Sequence, residues 1–125
     1  MKRGLLLLLA LACAAFVAAG TARSESAAIR GCGYVTGPAY TINGKTGTRY
    51  AVMVTGSATC ALARTWTPRL ANKRPTGSTA LKTISGGPVG WRCFAVPLPF
   101  PTTKAVAGGC TRRTGVAFTW GPKTV

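Results

Sequence analysis

The sequence predicts a small α+β domain, an antiparallel sheet with one helix packed on it. Segments of alternating apolar and polar residues, bounded by Gly and Pro turns, predominate before residue 56 and after residue 86. Only residues 58–67 repeat their apolar positions at helical spacing. Four cysteines in a domain of about 100 residues predict two disulfides that brace it.

The first half of the domain predicts a series of short strands. Residues 33–36 and 39–42 are strand candidates, separated by Gly37-Pro38. Asn43-Gly44 is a strong turn signal. Residues 49–55 form the clearest strand, and alternation places three of its side chains on one face: Tyr50, Val52 and Val54.

The helix candidate over residues 58–67 places Leu62 and Trp66 on one stripe, which we expect to face the sheet. Ser57 is the expected N-cap, because its hydroxyl can accept a hydrogen bond from the first turn. Pro68 lacks a backbone N–H, so we expect a kink or a break near it.

The last third predicts further β structure. Residues 91–96 form one strand, and residues 110–112 and 116–120 form a closing hairpin. Residues 96–101 alternate proline with apolar residues and are expected to form an extended loop or a sheet edge. We expect four of the large apolar residues to lie in the core: Leu62, Trp66, Trp91 and Phe118.

The N-terminus has the three-part layout of a secretory signal peptide. Lys2-Arg3 precedes an apolar run over residues 5–19, and small side chains occupy the −3 and −1 positions of a cut after Ala22, with a second candidate site after Ala19. We therefore divide the chain into a signal peptide (1–22), a flexible tail (23–29) and one domain (30–125). After cleavage no membrane span is expected, and the protein is secreted or associated with the cell envelope.

Two other interpretations of the N-terminus fit its sequence less well. A transmembrane anchor requires about 20 apolar residues, and this run is shorter. A lipid-modified Cys13 is the third alternative, but apolar residues continue to Ala19, past the position where such a precursor is cut.

Charge is the most unusual property of the chain. It has 16 Lys and Arg, one acid and no His. The acid is Glu25, in the expected tail, so the domain lacks the groups that usually perform general acid–base catalysis. We expect no enzyme activity, no catalytic residue and no cofactor.

Cleavage after Ala22 would remove Cys13 and leave four cysteines: Cys32, Cys60, Cys93 and Cys110. Their separations of 28, 33 and 17 positions do not resemble zinc ligand pairs, so no metal site is expected. Pairing Cys60 with Cys93 would fasten the helix to the sheet, with Cys32–Cys110 as the second bond. Sequential pairing, Cys32–Cys60 and Cys93–Cys110, remains open.

The sequence resembles a group of small secreted actinobacterial proteins of unknown function. The resemblance rests on an S-x-x-C-x-x-A-R segment over residues 57–64, Gly90-Trp91-Arg92-Cys93, and Cys110 before a strand with Phe118 and Trp120. It covers roughly residues 32–120, and the proline-rich stretch 97–101 departs from the group's pattern. The resemblance implies export and an α+β fold, and it supplies no functional residue.

The basic residues suggest the first function, a non-enzymatic interaction protein with anionic partners. Anionic polymers, an envelope surface and acidic proteins are plausible partners for such a protein. The alternative for these residues is that they only keep the chain soluble. The candidate anion-binding residues lie on or after the helix and at a hairpin tip: Arg64, Arg69, Lys73, Arg74, Arg112 and Arg113.

The proline-rich segment suggests the second function, a secreted protease inhibitor. Small disulfide-braced domains inhibit proteases by presenting a rigid loop, and residues 96–101 would be that loop. Leu98 or Phe100 would be the apolar anchor, although each is followed by a proline. The alternative is that the loop only covers one end of the core.

Overall fold

The structure is a computed structural model that describes residues 28–123. The expected signal peptide, Glu25 and most of the expected tail lie outside the described residues. In chain order the elements are β1 (Ile29–Ile42), β2 (Lys45–Thr55), α1 (Cys60–Ala71), β3 (Lys82–Ile84), β4 (Arg92–Ala95), β5 (Gly108–Arg113) and β6 (Val116–Pro122).

The six strands form one antiparallel sheet in the order β1-β2-β6-β5-β4-β3. α1 packs on one face, mainly against β1 and β2. This arrangement confirms the predicted α+β class with one helix on an antiparallel sheet.

The β1–β2 hairpin turns at Asn43-Gly44, as predicted. Both residues have positive φ, 50° and 77°, which a two-residue turn of this type requires. The two strands expected before the turn are one, however, because β1 begins at Ile29 and continues through Gly37-Pro38 with a local shift of register. A proline is tolerated there because β1 is an edge strand.

The prediction of Ser57 as N-cap is wrong. α1 begins at Cys60, and its N-cap is Thr59, whose hydroxyl accepts a hydrogen bond of 3.2 Å from the Leu62 amide. Thr59 has the extended backbone typical of a cap, φ −98° and ψ 147°. Gly56, with φ 61°, ends β2 and redirects the chain before the helix.

Of the kink or break expected near Pro68, the break is wrong, because α1 continues through Pro68 to Ala71, and the kink stays a prediction. Its buried stripe is one position away from the predicted stripe and consists of Ala63, Thr67, Leu70 and Ala71. Leu62 and Trp66 are half-buried at the margin of the core. Burial of residues on both sides of Pro68 stabilises the last turn despite its missing hydrogen bond.

The C-terminal strands follow the prediction, with different lengths. The strand predicted over residues 91–96 is β4, and the closing hairpin is longer than predicted. Residues 96–101 are a loop. The sequence did not indicate β3, which has only three residues.

The core lies between α1 and the sheet. Tyr50, Val52 and Val54 are buried on one face, as the alternation predicted. Phe118 is buried as expected, whereas Trp91 is half-buried and packs on Phe118. The buried aromatic residues are Tyr40, Tyr50, Phe118 and Trp120.

Each disulfide joins two cysteines that follow one another in the order Cys32, Cys60, Cys93 and Cys110. Cys32–Cys60 ties β1 to the first residue of α1, and Cys93–Cys110 joins register partners on β4 and β5. The expected pairing of Cys60 with Cys93 and of Cys32 with Cys110 is therefore wrong, and the sequential alternative is the one found. The helix begins beside the edge strand that carries Cys32, so it is fastened to that strand.

Each edge of the sheet is partly covered. At β1, the Arg64 guanidinium donates to the carbonyl oxygens of Cys32 (2.7 Å) and Tyr34 (3.1 Å). At β3, Thr76 forms a two-bond bridge with Thr83. Covering an edge reduces the number of free backbone groups that could pair with another chain.

Candidate anion-binding surface

One face of the sheet is not covered by α1, and the strand register identifies the residues on it. Met53 pairs with Thr119, Thr119 with Gly109, and Gly109 with Phe94. Alternation places every second residue on this same face. The open face, as we call it, includes Ile29, Tyr34, Ala51, Met53, Arg92, Phe94, Thr111 and Thr119.

Three apolar side chains project from the open face beside the β1 edge. Ile29 is 70% exposed, Met53 47% and Tyr34 43%. In the register, Ile29 lies opposite Thr55 and Tyr34 opposite Ala51, so both are diagonal neighbours of Met53. We call Ile29, Met53 and Tyr34 the apolar ridge.

The Tyr34 ring carries two cations. The guanidinium carbon of Arg49 lies 5.2 Å from the ring centroid, and Nζ of Lys123 lies 4.9 Å from it. Both distances lie in the range of cation–π attraction. The apolar ridge therefore ends in an aromatic ring with two positive charges beside it.

Tyr40 positions the strands that bear these two cations. Its hydroxyl lies 2.7 Å from the Arg49 carbonyl oxygen and 2.9 Å from the Lys123 carbonyl oxygen. Burial raises the pKa of Tyr40, although its hydrogen bond to the Lys123 backbone opposes the rise. The hydroxyl therefore remains a donor at neutral pH and keeps β2 and the end of β6 together.

A second group of cations lies at the other end of the strands. Arg92, Arg112 and Arg113 line an open hollow of about 490 Å³ together with Thr111 and Thr114. Register pairs Arg92 with Thr111, so Arg92 lies on the open face. We call this group the arginine hollow.

The structure does not bring the six predicted anion-binding residues into one site. Arg112 and Arg113 lie together at the β5–β6 hairpin tip, with Arg92 as a third member. The other four lie on α1 or just after it, and α1 covers the opposite face.

Of the four basic residues on α1 or just after it, three have side chains that contact other residues of the domain. Arg64 donates to two β1 carbonyls. The guanidinium of Arg69 lies 5.2 Å from the Trp66 ring centroid. The Lys73 side chain passes over Gly86, where a Cβ would lie 2.7 Å from its Nζ. Arg74 is exposed.

Sequence reasoning missed Arg92, Arg49, Lys123 and Tyr34 as site residues. Alternation along residues 91–96 indicates that Arg92 and Phe94 share a face opposite Cys93. No local pattern indicates that Tyr34, Arg49 and Lys123 meet, because they lie on β1, on β2 and just after the end of β6.

The two proposed inhibitor anchors do not project into solvent. Leu98 is half-buried and packs against the core, and Phe100 is half-buried and lines the same hollow as Leu98. The exposed members of the loop are Val96 and the prolines. A substrate-like loop requires an exposed anchor, so this geometry does not favour the inhibitor hypothesis, which stays a prediction.

The described residues carry thirteen Lys and Arg and no Asp, Glu or His. Within residues 28–123 no cation can therefore pair with a side-chain carboxylate, and no group of potential metal ligands occurs there. The helix in this part of the chain is too short and too polar to span a membrane.

Within residues 28–123 the surface thus combines a sheet face that α1 does not cover, an apolar ridge and two groups of cations. These features suit contacts with anionic groups, and residues 28–123 contain no His, Asp or Glu. Comparison with known proteins adds no assignment to this geometry: no protein-family model, no curated protein and no solved structure matches the chain.

Proposed function

We propose that the protein is an exported, non-enzymatic binding protein whose partners are anionic. Export is supported by the layout of residues 1–22 and by the two disulfides, which are typical of oxidising compartments. The absence of His, Asp and Glu from residues 28–123 supports a binding role over catalysis.

The observation that carries the proposal is the arginine hollow. Three arginines line one depression together with Thr111 and Thr114. Guanidinium binds phosphate, sulfate and carboxylate oxygens through paired, charge-assisted hydrogen bonds. No carboxylate among the described residues competes for these donors.

Binding to a short polyphosphate, measured by calorimetry at several salt concentrations, tests the proposal. A triple variant, Arg92→Gln with Arg112→Gln and Arg113→Gln, is compared with a control that loses the same charge from scattered exposed sites: Lys45→Gln, Arg74→Gln and Lys82→Gln. We expect the hollow variant to lose at least about tenfold more affinity, because even one lost charge-assisted bond is worth on the order of 1.5–3 kcal/mol and about 1.4 kcal/mol corresponds to tenfold. Equal losses would show that binding follows net charge alone.

Intact mass of the protein recovered from the medium or envelope of a producing bacterium tests export. We expect a chain that begins at Arg23 and that gains four hydrogen atoms on reduction, because each of its two disulfides takes up two. A product that retains residues 1–22 would contradict this part of the proposal.

A further inference from the structure

The apolar ridge is contiguous and exposed in the part of the chain that the structure describes. Gly31 lies directly opposite Met53, and a Cβ built at Gly31 would meet no atom within 4 Å. One flank of Met53 is therefore bare backbone. Ile29 and Tyr34 lie diagonally on either side, so three exposed apolar side chains stand together on one edge of the open face. Isolated exposed apolar residues are ordinary, whereas a contiguous group marks a contact surface.

Positive charge adjoins this ridge. Arg49 and Lys123 flank the Tyr34 ring, and Arg92 lies on the same face but three strands beyond β2, on β4. No acidic residue occurs among residues 28–123 to offset them. The open face therefore combines aliphatic side chains, one amphipathic ring and cations.

Aliphatic side chains decide which anionic partner fits. Ile29 and Met53 gain free energy only by leaving water for an apolar medium, which a hydrophilic polyanion does not offer. Tyr34 has an apolar ring and a polar hydroxyl, a combination favoured at the boundary between headgroups and acyl chains. Lys and Arg beside such residues are attracted to anionic headgroups.

We propose that the open face binds the surface of an anionic lipid bilayer. The apolar ridge enters the boundary between headgroups and acyl chains, while Arg49, Lys123 and Arg92 contact headgroup phosphates. This inference rests on the proposed function and names the partner.

Two other occupants of the open face are less consistent with its chemistry. A second copy of this chain would bring two such unneutralised positive surfaces together. A single-stranded nucleic acid is bound through rows of stacking aromatic rings, and Tyr34, the exposed aromatic side chain of the face, already holds two cations.

Sedimentation with phosphatidylcholine vesicles, with or without added phosphatidylglycerol, tests the inference. We expect binding only when phosphatidylglycerol is present. The double variant Ile29→Ser with Met53→Ser should lower the vesicle partition coefficient by about tenfold or more. Val89→Ser is the matched control, because Val89 is fully exposed in a turn outside the ridge, and it should leave the coefficient unchanged.

Polyphosphate distinguishes the inference from the proposed function. The ridge variant should bind polyphosphate as the wild type does, whereas Arg49→Gln with Lys123→Gln should weaken vesicle binding. Binding to polyphosphate without vesicle binding, or vesicle binding that the ridge variant does not change, would overturn the inference and leave the proposed function intact. Binding to neither would overturn both. Thermal unfolding of each variant, expected to match wild type because the replaced side chains are exposed, verifies the fold.

Discussion

The ring of Tyr50 packs against the bare backbone of Gly37. A Cβ at Gly37 would lie 2.8 Å from the Tyr50 Cε2, and the Tyr50 hydroxyl donates to the Pro38 carbonyl oxygen at 2.6 Å. Tyr50 is fully buried. The hydrogen bond therefore fixes a ring that has no free space into which it could move, and the close approach requires glycine.

Gly37→Ala should destabilise the domain by about 1–3 kcal/mol, because the added methyl overpacks a fixed ring. Gly31→Ala is the control in the same strand, since its Cβ would meet nothing within 4 Å. Urea denaturation of both variants measures the difference. Equal stabilities would contradict the packing described for Tyr50.

Stability should fall as pH rises from about 10 towards 12. Burial raises the pKa of Tyr50 to about 12, and the neighbouring Tyr40 adds to the rise. A raised folded pKa means that the stabilisation is complete below the unfolded pKa of about 10 and is lost as pH approaches the folded pKa. Thermal melts at a series of alkaline pH values measure this loss. Tyr50→Phe should be less stable at neutral pH and should lose less on alkalinisation, whereas parallel curves would refute the assignment.

Removing the Cys32–Cys60 bond by a double alanine substitution should cost about 2–4 kcal/mol. Arg64 fastens the same helix to the same strand through two hydrogen bonds, so Arg64→Met should couple with the loss of the disulfide. A double-mutant cycle by chemical denaturation measures the coupling. Strictly additive losses would indicate that the two attachments act independently.

Trp120→Ala should cost about 3–5 kcal/mol, because the ring is buried and its Nε1 donates to the Ala105 carbonyl oxygen at 2.9 Å. Trp66→Ala should cost less than about 2 kcal/mol, because Trp66 is half-buried. Denaturant midpoints of the two variants compare the sites. A larger loss of unfolding free energy for Trp66→Ala than for Trp120→Ala would show that the predicted stripe of Leu62 and Trp66 faces the core.

Local sequence patterns predicted a strand or a turn correctly where a single physical preference determined it. Alternation identified the buried face of β2, and Asn43-Gly44 identified the hairpin turn. The buried stripe of α1 was predicted one position away from its true place. Leu70 can continue either of two stripes, the one through Leu62 and Trp66 or the one through Ala63 and Thr67. The small side chains of Ala63 and Thr67 face the sheet because they allow α1 to pack closely against it. The hydrophobicity of the residues alone does not indicate this preference.

The candidate site was less predictable than the fold. Arg112 and Arg113 were named from the sequence, but Arg92 joins them only through the β4–β5 pairing. Tyr34, Arg49 and Lys123 meet only after β1, β2 and β6 have assembled. Pairing between strands distant in sequence depends on the whole fold, and short-range periodicity contains no information about it.

Pairing of neighbouring cysteines has a consequence for maturation. For a chain that crosses a membrane with its N-terminus first, Cys32 and Cys60 emerge before Cys93 and Cys110, and each new pair is the native one. Neither covalent loop encloses a cysteine of the other. Oxidation in order of appearance therefore yields the native bonds directly, and correct connectivity requires no later reshuffling of disulfides.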